Sequence, residues 1–263
     1  MELPGLRADS LLGFLAALGA CRTLEVGLAW RKSGPFWIAD IDTDDPFEVV
    51  VSQLLQTCQT FPAQFSQLAE TDPALKFEEG VNKWREFALQ YPDWACAIGC
   101  EAGEDFRRSP ILMSKGGGHQ HPLKMVQGQC SKISREDIEL ALLGPWKRIP
   151  DCGLRLDPLE NRPHADNWSD PSIKNQDSQI VALGPTRLAF ESFPLVPTLN
   201  RSLHAIFDRT GKIVSWALWE NYLLPRAITA RLFTSPPAYV SSRRHISKGN
   251  WSVSPAKAVG NSR

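Results

Sequence analysis

The sequence predicts an α+β fold, with helices and antiparallel strands or hairpins mixed in one compact domain. Helix-periodic segments and short strand-like runs follow each other without the regular alternation of a doubly wound sheet. With 263 residues, 43% of them hydrophobic and 22% charged, the chain can bury a full core. We expect a core domain of residues 1–235 and a basic C-terminal segment of residues 236–263.

The N-terminal stretch predicts a helix followed by a hairpin. Residues 8–24 carry leucines and a phenylalanine at helical spacing, after Asp9 or Ser10 as a possible cap. The β-rich runs VGLAWR and PFWIADI are separated by KSG, which indicates an antiparallel hairpin.

Later segments extend this mixed order. A second helix is expected over FEVVVSQLLQTC, with Asp44 or Asp45 as its cap and Pro46 in its first turn. Further helices are expected near GVNKWREFALQ, REDIELALL and PRAITARLF, and a strand is expected at DWACAIG. SLHAIFD and KIVSWALW, joined by RTG, predict another hairpin, whereas residues 154–172 hold too many turn formers for a helix.

The cations are concentrated in two segments, although 29 Lys and Arg balance 29 Asp and Glu over the chain. Residues 107–135 contain six cations and no acidic residue, and residues 221–263 contain seven cations and no acidic residue. Such segments are typical of a localised surface for a polyanion, and also of ordinary solvated loops.

The first basic segment contains SKGGGHQHPLKM, a glycine-rich stretch with several donors. Glycines allow backbone N–H groups to approach a phosphate closely, while lysines supply charge. A helix that begins after His121, with Pro122 in its first turn, would add a favourable partial charge. The order of a nucleotide-hydrolysing P-loop is missing, and a flexible surface loop is the alternative. The candidate contacts are Lys115, Gly116, Gly117, Gly118, His119, His121 and Lys124.

The second basic segment contains SSRRHISKGNW, in which cations lie beside a tryptophan. Guanidinium and ammonium groups bind phosphates, and a neighbouring aromatic ring can stack on a base. The candidate nucleic-acid contacts are Arg243, Arg244, His245, Lys248 and Asn250.

Catalytic and metal-binding signatures are missing from the sequence. No G-x-S-x-G, H-E-x-x-H or dinucleotide fingerprint occurs. Cys96 and Cys100 form a close pair without a second pair at zinc-site spacing, so we interpret them as core thiols. His119 and His121 lack an identifiable third ligand nearby. We therefore expect no catalytic residue, no metal and no cofactor.

Hydropathy predicts a cytoplasmic protein without a membrane partner. The longest apolar run, residues 11–20, is shorter than the roughly 20 residues that span a bilayer. The charged region and cleavage pattern of a secretory signal are also missing. The six cysteines are too dilute for a disulfide scaffold, and we expect reduced thiols.

Several stretches form a recognisable combination, namely LPGLRADSLLGFLAALGACRTLE, LAWR, GPFWIADI and LRLDPLENRPHADNWSDPS. Together they resemble proteins encoded in type I CRISPR-Cas loci, especially the large-subunit-like group of subtype I-G. TRLAFESFPLVPT is similar to a strand of that group. The pattern RWDPxEDRRYAxxWxDPS is matched at Asp157, Pro158, Glu160, Arg162, Ala165, Trp168, Asp170, Pro171 and Ser172.

The resemblance implies a non-catalytic subunit or accessory of an RNA-guided effector complex in antiviral defence. Its implied partners are guide RNA, target DNA and other CRISPR-Cas effector subunits. In such complexes base pairing reads the sequence, while the protein contacts backbone and shape through basic surfaces. Two alternatives stay open: a metal-dependent nuclease that combines His119 and His121 with the acidic DIDTDD turn, and a structural adaptor without nucleic-acid contacts.

Replacing Gly117 with valine is expected to weaken target-DNA binding by the assembled complex more than Lys115→Ala does. A β-branched side chain blocks close approach and disfavours positive φ, whereas one surface charge is partly replaceable. Combining Lys115→Ala with Lys124→Ala should flatten the plot of log affinity against log salt by about one to two units of slope. Binding across a salt series measures both effects. Unchanged binding by every stably folded variant would identify an ordinary loop.

Overall fold

The computed structural model describes residues 1–77, 81–113, 121–160, 180–247 and 250–260. Its N-terminal part contains strands β1 (Glu2–Arg7), β2 (Gly27–Ser33) and β3 (Phe36–Asp42). They form an antiparallel sheet in the order β1-β3-β2. The continuous pairing of β2 with β3 confirms the predicted hairpin.

Helix α1 (Leu11–Leu24) lies at the predicted place and is buried on all sides over its first three turns. Ser10 caps it, since the Ser10 hydroxyl accepts the N–H of Gly13 at 3.4 Å, whereas Asp9 forms an ion pair with Arg7. Every residue from Leu11 to Cys21 is buried. A helix that is apolar all round has to be covered on every side. Neither α1 nor any other helix in the described ranges is long and apolar enough to cross a membrane.

The other helices confirm most of the predicted ones. They are α2 (Phe47–Gln59), α3 (Ser66–Thr71), α4 (Val81–Gln90), α5 (Pro92–Ile98), α6 (Pro122–Cys130), α7 (Arg135–Leu143), α8 (Leu183–Glu191) and α9 (Pro225–Thr234). Helices α2, α4, α7 and α9 were expected, and α6 begins at Pro122 as expected. The predicted cap of α2 is wrong. That helix follows Pro46 directly, and neither Asp44 nor Asp45 is its N-cap.

Two segments that were expected to be strands are helical. DWACAIG lies in α5, where Pro92 occupies the first turn and Trp94, Ala95 and Ile98 are buried at helical spacing. TRLAFESFPLVPT belongs to α8 and to a short 3-10 helix over Phe193–Leu195. Every residue of α8 is buried, so its sequence shows no polar face that would separate a buried helix from a buried strand.

Helices α1 and α8 pack so closely that their backbones touch. A side chain at Gly19 would collide with the backbone carbonyl of Leu188. Arg187 is fully buried in α8, where its Nε donates to the carbonyl of Cys58 at 3.0 Å and its Nη2 to the carboxylate of Glu191 at 3.0 Å. The enclosed charge of Arg187 is thus balanced by a carboxylate one turn away.

The C-terminal part forms a second antiparallel sheet. Its strands are β10 (Ile213–Trp216), β11 (Tyr239–Ser247), β12 (Asn250–Val253) and β13 (Lys257–Ala258), and β11 pairs with the other three. The RTG segment lies in the turn before β10, and Phe207 pairs with Val214 across it, which confirms the second hairpin. The strands of the basic C-terminal segment therefore continue a sheet that begins at β10.

Three short antiparallel pairs complete the described strands. They are β4 (Gly99–Ala102) with β5 (Asp105–Arg108), β6 (Ile149–Pro150) with β7 (Ile180–Val181), and β8 (Thr198–Asn200) with β9 (Leu203–His204). The hairpins β4–β5 and β8–β9 contribute to the candidate site described below.

An aromatic cluster ties both sheets to α1. Phe14 stacks on Trp30 and on Trp216, with ring centroids 5.6 Å apart in each case. Trp219 packs edge-on against Phe14 and Trp30. Trp216 and Trp219 also donate their Nε1–H groups to backbone carbonyls at 2.8 and 2.6 Å. Helices and antiparallel sheets therefore share one core, which confirms the predicted α+β fold.

Replacing Gly19 with alanine is expected to lower the free energy of unfolding by about 1 to 3 kcal/mol or more, because the new methyl group pushes α1 away from α8. Gly128→Ala in α6 is the matched control, since no described atom lies within 4 Å of its new Cβ. The control should stabilise the protein by about 0.5 to 1 kcal/mol through backbone entropy. Urea unfolding measures both values. Equal effects of the two substitutions would contradict the close packing of α1 on α8.

Candidate anion-binding pocket

A pocket of about 820 Å³ lies where the β4–β5 hairpin, the β8–β9 hairpin, the turn over residues 208–212 and strand β11 meet. The charged residues that line it are Lys76, Asp105, Arg107, Arg108, Arg201, Asp208, Arg209, Lys212 and Arg243. Seven of these are cations and two are carboxylates, which gives the lining a formal charge of +5 on a chain whose net charge is zero. We call this cavity the basic pocket. Its volume lies in the range of small-ligand sites.

The basic pocket brings together cations from both basic segments of the sequence. Arg107 and Arg108, at the end of β5, belong to the first segment, and Arg243, on β11, belongs to the second. Trp251 of β12 also lines the pocket, with its ring centroid 4.8 Å from the guanidinium of Arg243. The pocket therefore brings together residues from the β4–β5 hairpin and from the C-terminal sheet, which are far apart in the chain.

Arg108 is an enclosed charge with few partners. Its Nη1 donates to the carbonyl of Leu112 at 3.3 Å. Its Nε and Nη2 are shielded from solvent and find no hydrogen-bond acceptor in the described ranges. Burial lowers the pKa of the Arg108 guanidinium to about 10, an effect that the Asp72 carboxylate opposes and the Arg243 charge reinforces. The group is still protonated at neutral pH, so its charge is poorly compensated.

Arg243 is the second partly buried cation of the pocket. Its Nη1 donates to the carbonyl of Gly211 at 2.9 Å, and its Nε has no acceptor within the described part of the chain. Burial lowers the pKa of the Arg243 guanidinium to about 10. Neither Arg243 nor Arg108 forms an ion pair with a carboxylate of the described residues. Arg243 thus adds a second positive charge near Arg108, and the Asp72 carboxylate offsets the effect of burial on Arg108 only in part.

Two other arginines of the protein, the partly buried Arg148 and the fully buried Arg187, have carboxylate partners. Arg148 donates to Asp157 at 2.6 Å, and Arg187 donates to Glu191 at 3.0 Å. Burial lowers the pKa of Arg187, but the Glu191 carboxylate outweighs this effect and the pKa is raised. The pKa values of Arg108 and Arg243 shift in the opposite direction, because burial is not outweighed by a carboxylate at either residue.

Three buried polar residues form the floor of the basic pocket. Backbone N–H groups of Ile206 and Phe207 donate to Nδ1 of His204 at 3.1 and 3.3 Å, so the proton of the neutral ring resides on Nε2. This Nε2 lies 3.2 Å from the hydroxyl of Ser109, which is also 3.0 Å from the hydroxyl of Thr198. The backbone N–H groups of Ile206 and Phe207 thus hold the His204 ring in place.

The Ser109–His204 contact is not a nucleophile–base pair. A general base needs an unprotonated nitrogen towards the serine, whereas here Nε2–H donates to Ser109. Burial, with a contribution from the Arg243 charge, lowers the pKa of His204 to about 3 and keeps the ring neutral. The floor of the pocket is therefore a set of polar groups that are hydrogen-bonded to one another.

The first group of predicted site residues lies mostly outside the described residues. His121, which is described, is the N-cap residue of α6, and its buried Nδ1 has no hydrogen-bond partner among the described residues. Lys124 is exposed on α6, with its Nζ 3.5 Å from the side-chain oxygen of Gln127. Neither lines the basic pocket. The predicted residues that are not described are Lys115, Gly116, Gly117, Gly118 and His119.

The second group of predicted contacts, which includes Arg243 and Arg244, does not lie on one face of strand β11. Arg243 lines the basic pocket, whereas the next residue, Arg244, donates to the carbonyl of Pro158 at 3.4 Å on the opposite side of β11. His245 packs edge-on against Trp251, with centroids 5.2 Å apart. Asn250 begins β12, and Lys248 lies outside the described residues.

Sequence reasoning did not single out most of the pocket. Arg107 and Arg108 contributed to the charge of the first segment without being named as contacts. No local motif connects the remaining lining residues, because the pocket is assembled from hairpins that are distant in sequence. The residues missed are Arg107, Arg108, Ser109, Thr198, Arg201, His204, Arg209 and Lys212.

The metal-site alternative finds no ligand cluster in the described ranges, where no group of three His, Cys, Asp or Glu side chains converges. Cys96 and Cys100 are free thiols, and burial raises the pKa of both. In the acidic turn, Asp40 accepts hydrogen bonds from the amine of Met1, from Arg31 and from Tyr222. This carboxylate is engaged in holding the N-terminal sheet.

No family model, curated protein or solved structure matches the chain. A ligand for the basic pocket therefore cannot be transferred from a relative. Its chemistry has to be inferred from the residues that line it.

Replacing His204 with asparagine is expected to flatten the dependence of stability on pH. The folded pKa of His204, about 3, lies below the ordinary value of 6.5, so only the unfolded state takes up this proton as the pH falls through that window. The wild type should lose up to about 1.4 kcal/mol of unfolding free energy per pH unit below about 6 through this group, and the variant should not. Urea unfolding at several pH values measures the difference in slope. Parallel pH profiles would contradict the buried neutral ring.

Proposed function

We propose that the protein is a non-catalytic, nucleic-acid-binding subunit or accessory of an RNA-guided CRISPR-Cas effector complex, and that its basic pocket contacts phosphates of DNA or guide RNA. The observation that carries the proposal is the pair Arg108 and Arg243, two partly buried guanidiniums. Each has shielded nitrogens without a hydrogen-bond acceptor, and neither forms an ion pair with a carboxylate of the described residues. Planar guanidinium groups match phosphate oxygens in charge and in hydrogen-bond geometry.

The rim of the basic pocket supports the same ligand. Arg107, Arg201, Arg209 and Lys212 are exposed lining residues around the enclosed pair. A concave site lined mainly by positive charges concentrates a positive electrostatic field, which attracts a polyanion. Because this field is confined to one region of a neutral chain, we expect weak and strongly salt-dependent binding by the free protein.

Membership of an effector complex is supported by the resemblance of the N-terminal helix and hairpin, and of residues 154–172, to the subtype I-G large-subunit-like group. The partners implied by that resemblance are guide RNA, target DNA and other subunits, in the cytoplasm. A non-catalytic role is supported by the tautomer of His204, which prevents it from activating Ser109. Base pairing would then supply sequence specificity, while this protein holds backbone phosphates.

The neighbouring arginines on β11 provide the test. We expect Arg243→Gln to weaken binding of single-stranded DNA and RNA and to reduce the slope of log affinity against log salt by about one unit. Arg244→Gln should have a much smaller effect, because Arg244 lies on the other side of the strand. Arg226→Gln, an exposed cation of the same basic segment on α9, is the control for net charge.

The measurement is fluorescence anisotropy over a salt series, with thermal unfolding to verify that each variant folds. Equal losses in all three variants would indicate diffuse attraction to the basic segment and contradict a role for the pocket. No binding by the wild type, alone or within the assembled complex, would favour the structural adaptor.

A further inference from the structure

We propose that the basic pocket receives the end of a single strand and holds its terminal phosphomonoester on the floor between Arg108, Arg243 and Ser109. This inference rests on the proposed nucleic-acid function and specifies the part of the polymer that enters the pocket.

The first support is the shape of the site. Ser109, Thr198 and His204 line the pocket and are 2%, 5% and 8% exposed, so they close its inner end. An internal phosphodiester continues in two directions and needs a groove that is open at both ends. A terminal group continues in one direction only, towards the exposed cations of the rim.

The second support is the count of donors at the floor. Nε and Nη2 of Arg108 together carry three N–H groups without a described acceptor. The Ser109 oxygen already faces the Nε2–H of His204, and the hydrogen bond between Ser109 and Thr198 uses one of their two hydroxyl protons. The other hydroxyl proton has no acceptor in the described parts of the chain. These donors, with those of Arg243, suit an anion with several free oxygens.

The third support is the match of charge. A phosphomonoester carries a charge of about −1.5 to −2 at neutral pH and has three acceptor oxygens. Arg108 and Arg243 supply two partly buried positive charges, and His204 adds none because it stays neutral. The Asp72 carboxylate does not outweigh the burial of Arg108, whose pKa stays lowered. A dianion therefore compensates this pair more fully than an internal diester, which carries a single negative charge.

The rim distinguishes a strand from a free nucleotide. Exposed cations line the same pocket and can contact the next phosphates of a strand; they are Arg107, Arg201, Arg209 and Lys212. A free mononucleotide has no such phosphates. We therefore expect the strand to bind more tightly than a mononucleotide that carries the same terminal group.

The experiment compares short single-stranded DNAs of one sequence that carry a 5′-phosphate, a 3′-phosphate or hydroxyl groups at both ends, with adenosine monophosphate as the free nucleotide. We expect at least one phosphorylated strand to bind the full-length protein about tenfold more tightly than the hydroxyl-ended strand. Arg108→Met should abolish this preference, and Ser109→Ala should reduce it. Arg226→Gln, outside the pocket, should leave it unchanged.

Thermal unfolding provides an independent readout. Without ligand, Arg108→Met should melt no lower than the wild type, because the substitution removes a guanidinium whose burial the Asp72 carboxylate offsets only in part. The phosphorylated strand should raise the melting temperature of the wild type but not of Arg108→Met. If Arg108→Met fails to fold, Ser109→Ala provides the test. A reduced preference for the phosphorylated strand supports the proposal, and an unchanged preference contradicts it.

The outcomes separate this inference from the proposed function. If phosphorylated and hydroxyl-ended strands bind equally, and Arg243→Gln weakens the binding of both, the proposed nucleic-acid function stands. The proposal that the pocket holds a terminal phosphate is then wrong. Equal affinity for adenosine monophosphate and the phosphorylated strand would identify a free nucleotide as the occupant and overturn the strand-end proposal. Absence of binding to every strand would overturn both proposals.

Discussion

The complete burial of helix α1 is the constraint on which the rest of the structure depends. Its residues from Leu11 to Cys21 have no solvent-facing side, so the chain has to cover all of them. The N-terminal sheet and α8 supply much of this cover, and Gly19 lets α8 approach to backbone contact. Trp216 and Trp219 complete it from the C-terminal half, by packing on Phe14 and donating to N-terminal carbonyls. Burying one helix thus fixes distant parts of the chain against each other.

This packing also positions the basic pocket. Trp216 ends β10, which pairs with β11 and so sets the place of Arg243, while α5 leads directly into β4 and the hairpin that carries Arg108. A buried charge that is poorly compensated destabilises the folded state, whereas an anion that binds only this state stabilises it. The partly buried pair Arg108 and Arg243 is therefore better explained by binding than by stability.

Local signals predicted much of the fold and little of the site. Caps and spacing located α1, α2, α4, α7 and α9, because those signals belong to neighbouring residues. They failed at α5 and α8, where burial or strand-rich composition concealed the helical period, and at Asp44 and Asp45, which resemble caps without acting as one. Counting charges found the segments of Arg108 and Arg243. Their shared enclosure, and the proton pattern of Ser109 and His204, arise only when separate hairpins meet.

The two adjacent arginines on β11 show that only some cations of a basic segment belong to one positive surface. Arg243 and Arg244 are adjacent in sequence, but side chains alternate along a strand, so one faces the basic pocket and the other contacts Pro158. Conversely, Arg201 lies outside both basic segments and still lines the pocket. The positive site therefore depends on how strands and hairpins are arranged in the fold, and not on a single stretch of sequence. Its closed floor and its volume of about 820 Å³ suit part of one strand, whereas a duplex would meet only the rim.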